Sequence, residues 1–373
     1  MTGRAPARTR WSVVGLTLRV TAAALLFATG CGAANRASTN QREVSTALDG
    51  QPWKSALGHG HALVGRIWHR HRRTFVSPAW MLQHLSTAEV VLLGENHDNA
   101  DHHRLQAWVL RLLVEAGGRP EVFFEMFDSD QAKALALALA TEGVTPEQIS
   151  AATQWAKSGW PAFALYRPIF DVTLRAGLRL RHGNLPRKTV RGVAMGRQLT
   201  SIERRQLGLM RAMPARLDKE MRDEVVRGHC YMLPAHAAGP MVLAQRARDG
   251  AMAHALLGSF TRNTPSLSPT VGTGPRAVLI AGNGHVRSDR GVPYVIGVMT
   301  ALKEQRKRVV AVQFVEVPAE ATHTNASDLA NAMGGDLLVF TARKARPDPC
   351  ERYKKVLERM RRKRILQGKQ RSP

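Results

Sequence analysis

Cysteine is scarce in this chain, and the shortage excludes two classes of cysteine-dependent protein. There are three cysteines in 373 residues, and two of them, Cys230 and Cys350, lie far apart in the sequence. This distribution provides neither a disulfide framework nor a structural zinc site. A single Cys230–Cys350 disulfide is compatible with an oxidising compartment, but the position of Cys350 in a basic tail favours two free thiols.

Acidic residues are also in short supply, and the excess of positive charge limits the kinds of partner. The chain has 29 Asp and Glu against 54 Lys and Arg, a formal net charge of +25. The cations are concentrated at the two ends and in the run RIWHRHRR at 66–73, without a zinc-finger, RNP-type or recognition-helix pattern. We therefore expect no sequence-specific nucleic-acid binding, and a general attraction of the basic tail to acidic lipid or envelope surfaces.

Long apolar runs are absent after the N-terminal region, which itself has the order of a secretory signal. Three arginines precede the apolar stretch 11–27, and small residues then lead to Cys31 in the string LLFATGC. This string resembles a bacterial lipobox, so we expect residues 1–31 to be a lipoprotein signal peptide. An ordinary cleaved signal and an uncleaved anchor helix are the alternatives, although Arg19 shortens the apolar span.

The lipobox predicts the compartment as well as the processing. Lipidation of Cys31, including palmitate, would anchor the mature protein to a membrane of the bacterial cell envelope. Gly32 follows the cysteine, instead of the aspartate associated with inner-membrane retention. In a bacterium with two membranes, this favours the outer membrane over the inner one.

An alternation of strand and helix patterns begins after a small, polar tether at 32–52. Apolar runs at 90–93, 122–124 and from Ala277 predict strands, and helical spacing between the first two predicts a parallel strand–helix–strand unit. We predict an α/β domain at 53–317 with a mostly parallel central sheet flanked by helices and a helical middle insertion. Residues 318–373 are expected to form a basic C-terminal tail.

Polar side chains follow these three predicted strands at the point where each strand ends. Glu95 and His97 follow the first strand, where Gly94 is expected to let the chain turn. Glu125 follows the second strand and His285 the third. Because parallel strands end at one edge of a sheet, these four side chains are expected to converge. They are candidate catalytic residues for acid–base chemistry and candidate ligands for a divalent metal, although their spacing fits no standard zincin motif.

Seven further segments carry a resemblance to a known family. They are LLGENHDN with HH and Q following, FFEMFDSDQ, GWPAFALYRPIFD, GNLPR, HCYMLP, AQRARDGAMA and LIAGNGHVRSDRGVPY. In this order, over about 90–294, they resemble the ChaN-like haem-binding lipoproteins. That family is distantly related to erythromycin esterases and TIKI-type proteins, which share the strand–GExxH opening, a second glutamate and a late histidine.

The resemblance implies haem as a cofactor and a homodimer as the binding form. In the family a tyrosine oxygen ligates ferric iron in a dimeric pocket, which is chemically sound. Tyr231 and Tyr294 are the candidates for this role here, with His229 beside the first. Tyr353 lies in the basic tail, and Tyr166 is expected to pack inside the domain.

Three functions compete on this evidence. The first is a haem- or iron-binding envelope lipoprotein in haem or iron acquisition, and the second is a metal-dependent or Glu/His-based hydrolase. The third is a structural anchor that uses its basic ends on acidic envelope polymers. Convergence of the Glu and His residues disfavours the third, and the lipobox and middle segments favour the haem-binding branch over the esterases.

Lipidation gives the first testable prediction. Replacing Cys31 by Ala removes the sulfur that would carry the lipid, so the protein should leave the membrane fraction and accumulate as unprocessed precursor. Fractionation and mass spectrometry of the expressed protein would measure both effects. Unchanged membrane association and an unchanged mature mass would contradict the assignment.

Overall fold

Parallel strands buried on both faces form the centre of the structure. The computed structural model describes residues 46–261, 274–301, 306–319, 325–351, 354–355 and 358–359. The sheet formed by these residues has eight strands in the order β2-β1-β8-β7-β3-β6-β4-β5. The strands are β1 (Ile67–His69), β2 (Thr74–Val76), β3 (Val90–Glu95), β4 (Glu121–Asp128), β5 (Leu180–Asn184), β6 (Ala277–Gly282), β7 (Val309–Glu316) and β8 (Leu337–Thr341).

Strand direction confirms the predicted mostly parallel central sheet and adds antiparallel strands at one edge. Six neighbouring strands pair in parallel, in the order β8, β7, β3, β6, β4 and β5. Strand β1 pairs antiparallel with both β2 and β8. Strand β6 lies between β3 and β4, with Glu95 beside Gly282 and Phe124 beside Ile280. The predicted adjacency of the three site-bearing strands is therefore confirmed, and their carboxyl ends lie side by side.

Helices cover both faces of this sheet. They are α1 (Pro78–Ser86), α2 (Ala100–Glu115), α3 (Ala132–Leu139), α4 (Pro146–Ala152), α5 (Phe163–Arg175), α6 (Arg187–Ala194), α7 (Ser201–Gln206), α8 (Ala215–Gly228), α9 (Ala238–Gly258), α10 (Val292–Ala301) and α11 (Ala326–Met333). None of the helices in the described part of the chain combines the length and apolar character needed to cross a membrane.

The side chains of β3 point alternately to the two faces of the sheet, and this explains why helices cover both faces. Val91 and Leu93 belong to the core shared with α2 and α5, whereas Val90 and Leu92 belong to the core shared with α9 and α10. A strand with apolar side chains on both faces is stable only when helices pack on each side. The helical middle of the chain supplies the second side, because α6, α7 and α8 pack against α9.

The domain continues beyond Val317, where the sequence analysis placed its end. Residues 326–341, assigned there to the basic tail, form α11 and β8. Strand β8 is buried along its whole length, between β1 and β7. The sequence LLVFT is too short for its pattern alone to distinguish a strand from a chance cluster of apolar residues. Pairing with a strand on each side shows that it is an internal strand of the sheet.

The first residues of the basic tail and the last residues of the tether also contact the domain. Arg346 pairs with Asp98 at 2.6 Å and with Glu316 at 2.5 Å. At the other end, Asp49 pairs with Arg104 at 2.7 Å. Ion pairs to the domain therefore hold both of these polar segments. Cys31 and Tyr353 lie outside the described residues.

A disulfide joins Cys230 to Cys350, so the expectation of two free thiols is wrong. Cys230 lies just after α8, and Cys350 lies in the basic tail four residues after Arg346. The ion pairs of Arg346 bring this part of the tail onto the domain. A cross-link between residues 120 positions apart removes much conformational freedom from the unfolded chain.

Gly94 does not form the expected turn; it allows the loop after β6 to pack closely against β3. This close packing gives a stability prediction. The residue lies inside β3, and an added Cβ would be 2.3 Å from Val286 Cγ2 and 2.5 Å from Asn283 Oδ1. Gly94→Ala should therefore lower the free energy of unfolding by about 1–3 kcal/mol through overpacking. Urea denaturation measures the change, and Gly60→Ala is the control because nothing lies within 4 Å of its Cβ position. Equal stability of the two variants would contradict the prediction.

Candidate functional site

Glu95 is a buried carboxylate at the end of β3, and it is surrounded by proton donors. Its Oε1 lies 2.7 Å from His97 Nδ1 and accepts a hydrogen bond of 3.1 Å from the Tyr166 hydroxyl. The His103 ring lies against its other oxygen. Burial alone would raise the pKa of Glu95, but the two histidines outweigh it and lower the pKa below the ordinary value. Glu95 is therefore held as an anion.

Glu125 is a second buried carboxylate and lies on β4, which is separated from β3 by β6. Its Oε2 accepts the Gly282 backbone N–H at 2.7 Å, and its Oε1 is bound by the Arg248 guanidinium. His285 Nε2 lies 3.3 Å from the same Oε1. Burial opposes ionisation, but His285 and Arg248 hold the pKa of Glu125 well below its usual range.

His285 lies between two carboxylates. Its Nδ1 is 2.5 Å from Asp249 Oδ1, and its Nε2 faces Glu125. Burial by itself would lower the pKa of His285, but Glu125 and Asp249 raise it to about 9. The imidazole is therefore a buried cation at neutral pH, and it holds the loop after β6 against α9.

His97 connects the two carboxylates and is the most exposed of the four predicted site residues. Its Nε2 lies 3.9 Å from Glu125 Oε1, and 34% of its side chain is exposed. A Cβ on Gly282 would lie 2.8 Å from this nitrogen, so the bare glycine leaves room for the ring. Burial opposes protonation, but Glu95 and Glu125 raise the pKa of His97. The structure thus brings Glu95, His97, Glu125 and His285 together, although Glu125 lies inside β4 instead of following the end of that strand.

Four partners of this cluster were not assigned to the site by the sequence analysis. They are His103 from α2, Tyr166 from α5, and Arg248 and Asp249 from α9. Tyr166 is buried as expected, yet it also donates to Glu95, and burial together with the Glu95 charge raises its pKa. The motif AQRARDGAMA contained the signal for the α9 pair, because a charged Arg-Asp step inside a buried helix requires partners.

The cluster does not offer the donor set of a divalent metal. Among the described residues, no group of three or more His, Cys, Asp or Glu side chains is arranged to hold a metal ion. Both oxygens of Glu125 are already engaged, one by a backbone N–H and the other by Arg248. A divalent cation there would lie beside a guanidinium, which opposes binding. The predicted metal assignment therefore has no support in the geometry.

A cavity of about 620 Å³ borders the cluster. Glu125, Asn184, Trp160 and Arg248 are among its lining residues. The Trp160 ring also contacts His97, with ring centroids 4.9 Å apart. A small molecule in this cavity would therefore lie next to the acid–base groups.

The candidate haem residues differ strongly in accessibility. Tyr231 follows α8 and is 73% exposed, with a left-handed backbone at Cys230 and Tyr231 that turns the chain out of the helix. Tyr294 is half-buried on α10, packed against two apolar clusters. The Nδ1 of His229 lies 2.7 Å from the Val225 carbonyl oxygen. Of the two tyrosines, Tyr231 is the more exposed.

Comparison with known proteins gives a family match and several related folds. The family model described as haem-binding uptake, Tiki superfamily, ChaN matches residues 81–296. The structure of ChaN of Campylobacter jejuni with cofacially bound haem is similar with a TM-score of 0.54, at 19% identity over 73% of this chain and 95% of that chain. No curated protein sequence matches the chain significantly.

Two further structures are less similar. The type III effector HopBA1 has a TM-score of 0.37 at 10% identity, over 71% of this chain and 92% of that chain. The erythromycin esterase EreC, in an open conformation, has a TM-score of 0.34 at 15% identity, over 67% of this chain and 77% of that chain. At these levels neither likeness supports an argument about function.

The charge arrangement of the cluster gives a pH prediction. The pKa of His285 is raised when the chain folds, so its stabilising effect is complete below pH 6.5 and is lost as the pH rises through about 9. In Glu125→Gln the pKa of His285 should fall, so the loss should be smaller and should be complete at a lower pH. Imidazole NMR titration and urea denaturation between pH 6 and pH 10 measure both effects.

The matched control for this prediction is Glu147→Gln. Glu147 is an exposed carboxylate that pairs with Arg167 at the surface. This control should leave the titration of His285 unchanged. An unchanged pKa of His285 in Glu125→Gln would contradict the assigned electrostatic cause.

Proposed function

The chain belongs to the ChaN family of haem-binding uptake proteins in the Tiki superfamily, and on that premise we propose that it binds ferric haem for haem or iron acquisition. The observation that carries the proposal in this chain is the exposed phenol of Tyr231. Ferric iron accepts a tyrosine oxygen as an axial ligand, and haem bound here would supply that Lewis-acid iron. The residues present fit this demand at Tyr231.

The surface around the helical middle of the chain supports an apolar ligand or partner. Seven large hydrophobic residues are exposed in the described part of the chain, and five of them fall within 195–232. They are Met195, Ile202, Met210, Tyr231 and Met232. Exposed apolar side chains concentrated in one segment are typical of a binding surface. This distribution supports both haem binding and a homodimer through this helical layer.

The cellular setting of the proposal depends on the two ends of the chain. Lipidation at Cys31 would place the haem-binding domain at the bacterial envelope, with the outer membrane favoured by Gly32. Exposed cations in the basic tail would add a salt-sensitive attraction to acidic lipids. The Cys230–Cys350 disulfide is compatible with such an oxidising location.

The Glu/His cluster favours a second candidate function, a hydrolase that does not depend on a metal. Glu95 holds the Nδ1 side of His97, which leaves Nε2 to accept a proton from a water molecule. The water oxygen would attack an ester carbonyl while the Arg248 guanidinium, which lines the cavity, stabilises the negative charge. The departing alkoxide would then take the proton back from His97, which restores the resting cluster.

Hemin titration tests the haem proposal. Tyr231→Phe removes the phenol oxygen and keeps the ring, so binding should weaken at least tenfold and the tyrosinate-to-iron absorption band should disappear. Tyr294→Phe is the matched control, because this half-buried residue packs in the interior and should leave the spectrum unchanged. Identical hemin binding by both variants and the parent protein would contradict the assignment of Tyr231.

A further inference from the structure

One wall of the cavity beside the Glu/His cluster carries cations that have no partners. Lys157, Lys188 and Arg191 line this wall and are exposed. Within the described residues, none of the three side chains takes part in an ion pair or a hydrogen bond. By contrast, Arg104 and Arg346 elsewhere in the domain are held by acidic side chains. The wall therefore presents positive charge that the folded chain does not neutralise.

The acidic residues of the cavity do not cancel this charge. Eight charged residues line it, five basic and three acidic: Lys157, Arg187, Lys188, Arg191, Arg248, Glu125, Asp128 and Asp130. Glu125 is bound by Arg248, and the Asp128 carboxylate accepts the backbone N–H of Asp130 at 2.9 Å. An anion entering the cavity therefore meets an excess of positive charge within it.

Arg187 fixes the shape of the cationic wall. Its guanidinium donates to the carbonyl oxygen of Ser158 and lies 3.5 Å from that of Lys157. These contacts link the start of α6 to the turn that carries Lys157, so the three unpaired cations come from two connected segments. Gly159, at φ +81°, passes close to this guanidinium, and a Cβ there would be 3.3 Å from Nη2. The three cations are therefore held near one another by contacts between their two segments.

The part of the cavity lined by Trp160 suits an uncharged organic group. Trp160 lines the cavity, and its indole N–H is satisfied by the Met126 carbonyl oxygen at 3.1 Å. The ring is thus fixed and offers an apolar surface. It also contacts His97, so an organic group resting on Trp160 lies next to the acid–base groups.

We propose that this cavity is a second ligand site, for a small organic molecule bearing a phosphate or carboxylate. The anion binds Lys157, Lys188 and Arg191, and the organic part rests on Trp160 towards Glu125 and Arg248. Lysine and arginine are the side chains that bind such oxyanions by charge-assisted hydrogen bonds. This inference names the substrate class of the hydrolase candidate and rests on that candidate for turnover only. The site is separate from the proposed haem ligand Tyr231, which does not line the cavity.

Calorimetric titration of the full chain tests the binding step. The probes are phenyl phosphate, phenylacetate and inorganic phosphate; the first two distinguish phosphate from carboxylate as the bound anion. Phenyl phosphate should bind more tightly than inorganic phosphate, because only the former carries a ring for Trp160. Lys188→Ala combined with Arg191→Ala should weaken phenyl phosphate or phenylacetate binding at least tenfold. Added salt should weaken binding by the parent protein as well.

The control for this experiment is Arg175→Ala, which removes an exposed cation at the end of α5 that does not line the cavity. It should bind the probes as the parent protein does. Alanine favours helix, so the α6 double variant should keep its thermal melting temperature. Equal probe binding by the parent protein and the double variant, or no binding by either, would overturn the inference.

Turnover and hemin binding separate this inference from the two proposed functions. The hydrolase candidate predicts that 4-nitrophenyl hemisuccinate, an anionic ester, is cleaved with a higher kcat/KM than neutral 4-nitrophenyl acetate. His97→Gln should abolish this cleavage and keep probe binding. Probe binding without any cleavage overturns the hydrolase and leaves the ligand site standing. Competition between hemin and phenyl phosphate would instead overturn the separation of this site from the haem site.

Discussion

The buried carboxylate of Glu125 is the constraint on which the centre of this protein depends. A charge with 1% of its surface exposed is tolerated only when partners replace the lost water. Those partners come from three elements: the Gly282 N–H of β6, Arg248 of α9 and His285 of the following loop. The sheet, the long helix and the loop are thereby held in one arrangement. The cost of an unpaired buried charge makes any other arrangement unfavourable.

Helix α9 connects the two regions to which function is assigned here. Its middle carries Arg248 and Asp249, which hold the Glu/His cluster at the strand ends. Its outer side packs against α8, and Tyr231 follows the end of that helix. Family membership supports haem binding and is silent on where haem binds and on the role of the cluster. The cluster has to be understood from its own charges, which are paired internally and leave His97 as its most exposed member among the four predicted site residues.

Patterns within single segments predicted much of the fold. The apolar runs that became β3, β4 and β6 contain enough consecutive buried positions for their burial on both faces to be recognised. Glu95, Glu125 and His285 could then be expected to converge, because parallel strands end at one sheet edge. The structure extends this set, since His103, Tyr166 and Asp249 reach it from helices. The partners of a side chain on a helix are determined by how the helices pack, so the pattern within one segment does not predict them.

The sequence by itself determined the α/β class, the family resemblance, and which Glu and His residues accompany which strand. Each of these depends on local hydrophobic periodicity or on short motifs. Only the tertiary structure decided that Cys230 meets Cys350, that LLVFT is a central strand, and that Arg248 occupies the place where a metal was expected. Each of these depends on contacts between residues far apart in the chain. Such contacts are selected by the total energy of packing and charge pairing, which no single segment contains.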